Sequence, residues 1–153
     1  MRYFLSICLL LVTFGIKAQS IHNPWTDISE PNIQLTPTTP RYIIPETYRV
    51  VALDLENFKT ELQNAPLERT AEASNNPLIV SLPMPNGRFE IFEVVESPVM
   101  MQGLAAKFPM IKTFSGRSVS NNQTSVRFDY TLNGFHGLIR TPEDIFTPRV
   151  FLI

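Results

Sequence analysis

Hydrophobic and polar positions alternate most clearly in two stretches, each broken by turn residues. In "LIVSLPMPNGRFEIFEVV" two β-rich runs, Leu78 to Leu82 and Arg88 to Val95, flank Pro-Met-Pro-Asn-Gly, where Asn86-Gly87 supplies the positive-φ positions of a hairpin turn. Phe89, Ile91 and Glu93 alternate against Arg88, Glu90 and Phe92, so neither face is cleanly polar and both are expected to be partly covered. "TSVRFDYTL" and "GFHGLIR" predict a second hairpin around Leu132-Asn133-Gly134, with Val126, Phe128 and Tyr130 on one face and Arg127 and Asp129 on the other.

Shorter elements fill the rest. Thr47 to Asp54 reads as the first strand, and Asp54 caps a helix, "LENFKTELQNAP", whose Leu55, Phe58 and Leu62 share one face before Pro66 stops it. "PVMMQGLAAKFP" predicts a second short helix, with Ser97 as its cap and Pro98 at its first position. "MIKTFSG" is then a strand ending in a turn at Ser115-Gly116, and "RSVSNNQ" is a polar loop. These elements define an α+β fold, an antiparallel sheet built from hairpins with two short packed helices, over residues 47–153. Residues 19–46, rich in proline and without a sustained period, read as an extended lead-in docked by Trp25 and the Tyr42-Ile43-Ile44 group.

The N-terminus changes the setting. Arg2 precedes a charge-free apolar run, Tyr3 to Ile16, that is shorter than the roughly 20 residues needed to span a bilayer. Small residues follow at Ala18 and Ser20, so residues 1–18 read as a secretory signal peptide, cut between Ala18 and Gln19 or after Ser20. The expected location is outside the cell or on its surface, with no membrane attachment after cleavage. Cys8, the only cysteine, lies inside that run, which leaves the mature chain without a disulfide, a thiolate nucleophile or a zinc thiolate. Loss of Arg2 and Lys17 takes the basic count from 13 to 11 against 14 acids, a net charge of −3, with no basic run along the chain to mark a nucleic-acid or anionic-lipid partner.

No catalytic or cofactor-binding residue can be assigned. Two histidines, His22 and His136, cannot build a zinc site at any familiar spacing, and there is no His-Glu-x-x-His helix. A Ser-His-Asp triad would need His136, Asp129 and an unspecified serine, and no Gly-x-Ser-x-Gly elbow exists. Glu90 and Glu93 fall on opposite faces of a strand, and the glycines are too scattered to cradle a phosphate. Asn122 begins an Asn-Gln-Thr acceptor pattern, usable only in a host that glycosylates asparagine. The expectation is therefore a chain with no metal and no cofactor, in which the apolar 98–116 segment is either core or a surface for a partner.

Three stretches, "YRVVALDLENFKTELQNAPLE", "IVSLPMPNGRFEIFEVVESPVMMQGLAAKFPMIKTFSG" and "VRFDYTLNGFHGLIRTPE", resemble the N-terminal region of secreted reprolysin-like (metzincin) zinc metallopeptidases of the Bacteroidetes. The resemblance runs from Tyr48 to Glu143 and rests on the order and spacing of these motifs. It implies a non-catalytic, propeptide-like domain that assists folding of a metalloprotease catalytic domain or covers its cleft, in cis or in trans. The family's zinc-binding histidines have no counterpart in this sequence. By the same resemblance Met100, Leu104, Phe108 and Phe114 are the candidate partner contacts, and Asp129 and His136 the candidate oxygen and imidazole ligands for latency without a cysteine. The chain departs from the family pattern at "DIFTPRVFLI", which leaves two readings: a truncated or frame-shifted gene with an incomplete last strand, or a domain that occurs alone. The competing function is an independent extracellular module that binds protein or glycan.

Overall fold

In the computed structural model the described residues are 23–29, 48–132 and 134–150, the last two without their side chains. The expected leader and its expected cleavage point at Ala18 and Gln19, the Tyr42-Ile43-Ile44 group and Asn133 lie outside them. The elements, in chain order, are β1 (Trp25–Asp27), β2 (Val51–Leu53), α1 (Leu55–Leu62), α2 (Ala71–Asn75), β3 (Leu78–Pro83), β4 (Phe89–Glu96), α3 (Gln102–Ala105), β5 (Lys112–Ser118), β6 (Ser125–Thr131), β7 (Gly134–Arg140), β8 (Ile145–Phe146) and β9 (Arg149–Val150).

The fold is mixed but mostly β. β1 and β2 form an antiparallel ribbon, and β3 to β8 form an antiparallel meander in chain order, with β9 also pairing β7. β3 with β4 and β6 with β7 pair across short turns, which is why the pattern of the sequence predicts these two hairpins, whereas β4 and β5 pair across a longer excursion. The β3–β4 turn is closed by the Met84 N–H donating to the Arg88 carbonyl at 2.9 Å. Only Gly87 takes a positive φ there, 84°. Asn86 contributes differently from its predicted role: its side-chain oxygen accepts the Arg88 N–H at 3.1 Å.

Register divides the sheet into two faces. Val80, Phe92, Val94, Phe114, Val126, Phe128, Phe135 and Ile139 turn inward and are buried. α1 closes this face because Asp54 accepts the Asn57 N–H and starts the helix where Leu55, Phe58 and Leu62 must fall on one side. Phe58 meets Phe128 and Phe135 at 6.1 and 6.0 Å between ring centres, and Phe114 stacks on Phe128 at 5.1 Å. Trp25 shows that the sheet curls. Its indole N–H donates to the Ser81 carbonyl on β3 at 2.8 Å while its ring packs edge-on against Phe135 on β7 at 5.5 Å, so one side chain touches strands four places apart in the sheet. Each such buried aromatic contributes about 1.5–3 kcal/mol by burial alone.

Three sequence expectations need correction. Ser115-Gly116 is not a turn: β5 runs on to Ser118, and Gly116 pairs with both Val94 and Val126 on the core face. A Cβ there would lie 2.7 Å from the Glu93 carbonyl oxygen and 2.8 Å from a Val94 methyl, so glycine serves close strand packing. The second predicted helix shrinks to the four residues of α3, which buries none of them, so α1 is the one helix packed into the core among the described residues. Ser97 does not cap it. The α3 N-cap is Met101, without a side-chain bond, and the Ser97 hydroxyl donates to Glu68 at 2.6 Å instead.

Candidate functional site

Between β4 and β5 the chain leaves the sheet at Pro98 and returns at Ile111. Its stem is pinned on both sides: the Ser97 N–H donates to the Thr113 carbonyl at 2.8 Å, and the Thr113 hydroxyl donates to the Ser97 carbonyl at 2.6 Å. Cross-strand pairing thus continues past the end of β4 and fixes where the excursion begins. Pro98 and Pro109 bracket it, each lacking a ladder donor, which favours departure from the sheet at these points. Within it one turn of α3 forms on backbone bonds such as Ala105 N–H to Met101 O at 3.0 Å.

This excursion carries the largest concentration of exposed apolar side chains among the described residues. Val99 is 67 % exposed, Met101 84 %, Leu104 48 %, Phe108 45 % and Met110 47 %. Singly such residues are ordinary, but five within twelve positions form a patch, and patches mark interaction sites. Beneath it a groove of about 210 Å³ is lined by Val99, Met100, Ala105, Pro109, Ile111 and the stem.

Of the four predicted contacts, Leu104 and Phe108 lie on this surface, and Met100 is half-buried in the groove. Phe114 is the correction. It is 2 % exposed and stacked on Phe128, because its position on β5 pairs it with Phe128 on the core face, so it cannot touch a partner. Met101, the most exposed apolar residue in the segment, takes a place among the surface anchors that sequence reading gave to Phe114.

A second groove, of about 360 Å³, adjoins the first through Val99 and Thr113 and lies over the outer face of β5, β6 and β7. Its floor includes Thr113, Arg127, Asp129, His136 and Leu138. Register places Asp129 directly opposite His136, and the imidazole Nδ1–H donates to the Asp129 carboxylate at 3.3 Å. The two latency candidates named from sequence therefore meet in one groove beside the apolar excursion. Of the hydroxyl groups in this lining, Ser97 donates to Glu68 and Thr113 to the Ser97 carbonyl. No described serine is hydrogen-bonded to His136. Among the described residues no three His, Cys, Asp or Glu side chains converge on a point where a metal could be held.

The electrostatic anchors lie elsewhere. Arg49 grips Asp27 at 2.7 and 2.8 Å, donates to the Met84 and Arg88 carbonyls, and lies over the Phe89 ring, tying the β1–β2 ribbon to the β3–β4 hairpin. The hydrogen bond from Arg49 holds the Asp27 carboxyl below its ordinary value. Burial, with a smaller contribution from the negative charge of Glu96, pushes the Tyr130 hydroxyl up. Glu96 is itself bridged by Lys112 at 2.6 Å. No described helix is long and apolar enough to cross a membrane. Compared with family models, with curated proteins and with solved structures, the chain matches none.

Proposed function

We propose that this chain is a non-catalytic, propeptide-like domain of a secreted zinc metallopeptidase, which assists folding of the catalytic domain or covers its cleft. One observation carries the reading: the apolar excursion of residues 98–111, held out from a pinned stem with Met101, Leu104 and Phe108 exposed. A core segment would turn these side chains inward; a docking segment presents them. The motif resemblance supplies the class of partner. The adjoining groove supplies Asp129 and His136 as the polar part of the contact, with steric cover doing the rest.

An apolar anchor buried at an interface contributes about 1.5–3 kcal/mol, so its loss weakens binding by about tenfold to a hundredfold. The test adds purified chain in trans to the catalytic domain of a reprolysin-like metallopeptidase secreted by the same organism, and reads both peptide cleavage and the yield of refolded enzyme. Wild type is expected to change at least one of them, and Met101→Ser with Phe108→Ser to lose that effect at unchanged thermal stability. A wild-type chain that does neither gives the independent binding module the better claim.

A further inference from the structure

The outer face of β5–β7 collects cations that are scattered along the sequence. Arg117, Arg127 and Arg140 come from three successive strands, and the register places Arg117 and Arg140 both opposite Ser125, with Arg127 one pleat repeat along β6. Strand spacing puts the Arg117 and Arg140 backbones about 10 Å apart with Arg127 between and to one side. All three are exposed, and among the described residues none has a carboxylate within ion-pair distance. The acids nearest in register are Glu93, opposite Arg117, and Asp129, which His136 already engages. In a chain whose sequence carries more acid than base, these three arginines, set against Glu93 and Asp129, leave a local excess of positive charge.

We propose that this face binds an anionic polysaccharide, carboxylated or sulfated, through Arg117, Arg127 and Arg140. Guanidinium groups match carboxylate and sulfate with paired N–H donors, and their register neighbours on this face are the short, polar Ser115 and Ser125, with Leu138 opposite Arg127. The face carries no Phe, Tyr or Trp, because the aromatic residues of these strands, Phe114, Phe128, Tyr130 and Phe135, lie on the inner face. That disfavours neutral sugars and single-stranded nucleic acid, which are held by stacking on aromatic rings. The inference does not depend on the metallopeptidase reading and is tested without a protease.

Purified chain is titrated against heparin as the sulfated probe and polygalacturonate as the carboxylated probe, with dextran, poly-L-glutamate and oligothymidylate alongside, at two salt concentrations. Binding to at least one anionic polysaccharide, weakened by salt, and none to dextran is expected. Arg127→Ser should weaken it about threefold to fivefold, the upper range for one exposed ion pair, and the triple serine variant about thirtyfold or more at an unchanged melting temperature. Arg69→Asn, which removes one positive charge outside strands β5–β7, should leave it unchanged. Equal affinity of the triple variant, loss with Arg69→Asn as large as with Arg127→Ser, no binding to either polysaccharide, or equally tight binding to polyglutamate or oligothymidylate overturns the proposal.

Discussion

Phe108 and Phe114 stand six residues apart in one apolar stretch, yet one is 45 % exposed and the other 2 %. Composition does not distinguish them. What does is pairing: Phe114 sits on a strand whose register sets it against Phe128, whereas Phe108 ends a short helical turn between two prolines, where no ladder assigns it a face. An apolar residue becomes core through the backbone that carries it, and an excursion with a fixed stem can keep apolar side chains outward. That contrast separates the part of the molecule that holds the fold from the part available to a partner.

The contrast can be broken most forcefully at the core. Phe114→Ala should cost about 3–5 kcal/mol, read by denaturant unfolding, since it removes a stacked ring from a packed site; a loss below about 1 kcal/mol would return Phe114 to the surface. Gly116→Ala should cost about 1–3 kcal/mol, because the new methyl meets a backbone carbonyl that cannot swing away. A smaller effect, sensitive to pH, belongs to the ribbon. Asp27 has a lowered folded value, so its pairing with Arg49 stabilises the chain above the ordinary carboxylate value and is lost as pH falls through the lowered one. The melting-temperature gap between wild type and Asp27→Asn should accordingly be open at neutral pH and close in acid. Smallest of all, Phe108→Ala should change stability by less than about 1 kcal/mol. A cost as large as that of Phe114→Ala would make the excursion part of the core.

Sequence reading found the two hairpins and α1 because their signals are local: alternation, a glycine turn, a capping aspartate and an i, i+3, i+7 apolar face. It misplaced Ser97, whose hydroxyl is claimed by Glu68 twenty-nine residues away, a tertiary bond with no local signature. It read Ser115-Gly116 as a turn because glycine after serine usually is one, whereas here the missing side chain lets β5 pack tightly against Glu93 and Val94. α2, β8 and β9 are too short for any period to register. The candidate site was half legible. Asp129 and His136 were named without knowledge that they face each other, and the apolar anchors were named without knowledge of which one turns inward. The arginine face was invisible, since residues 117, 127 and 140 become neighbours only when the strands align.

The most direct test compares Phe108→Ala and Phe114→Ala in a single assay: binding of each purified variant to the metallopeptidase catalytic domain, at a temperature where both remain folded. The account predicts that Phe108→Ala weakens binding about tenfold to a hundredfold while its melting curve overlays wild type, and that Phe114→Ala binds as wild type once folded. Undiminished binding by Phe108→Ala, or loss confined to Phe114→Ala, would contradict it.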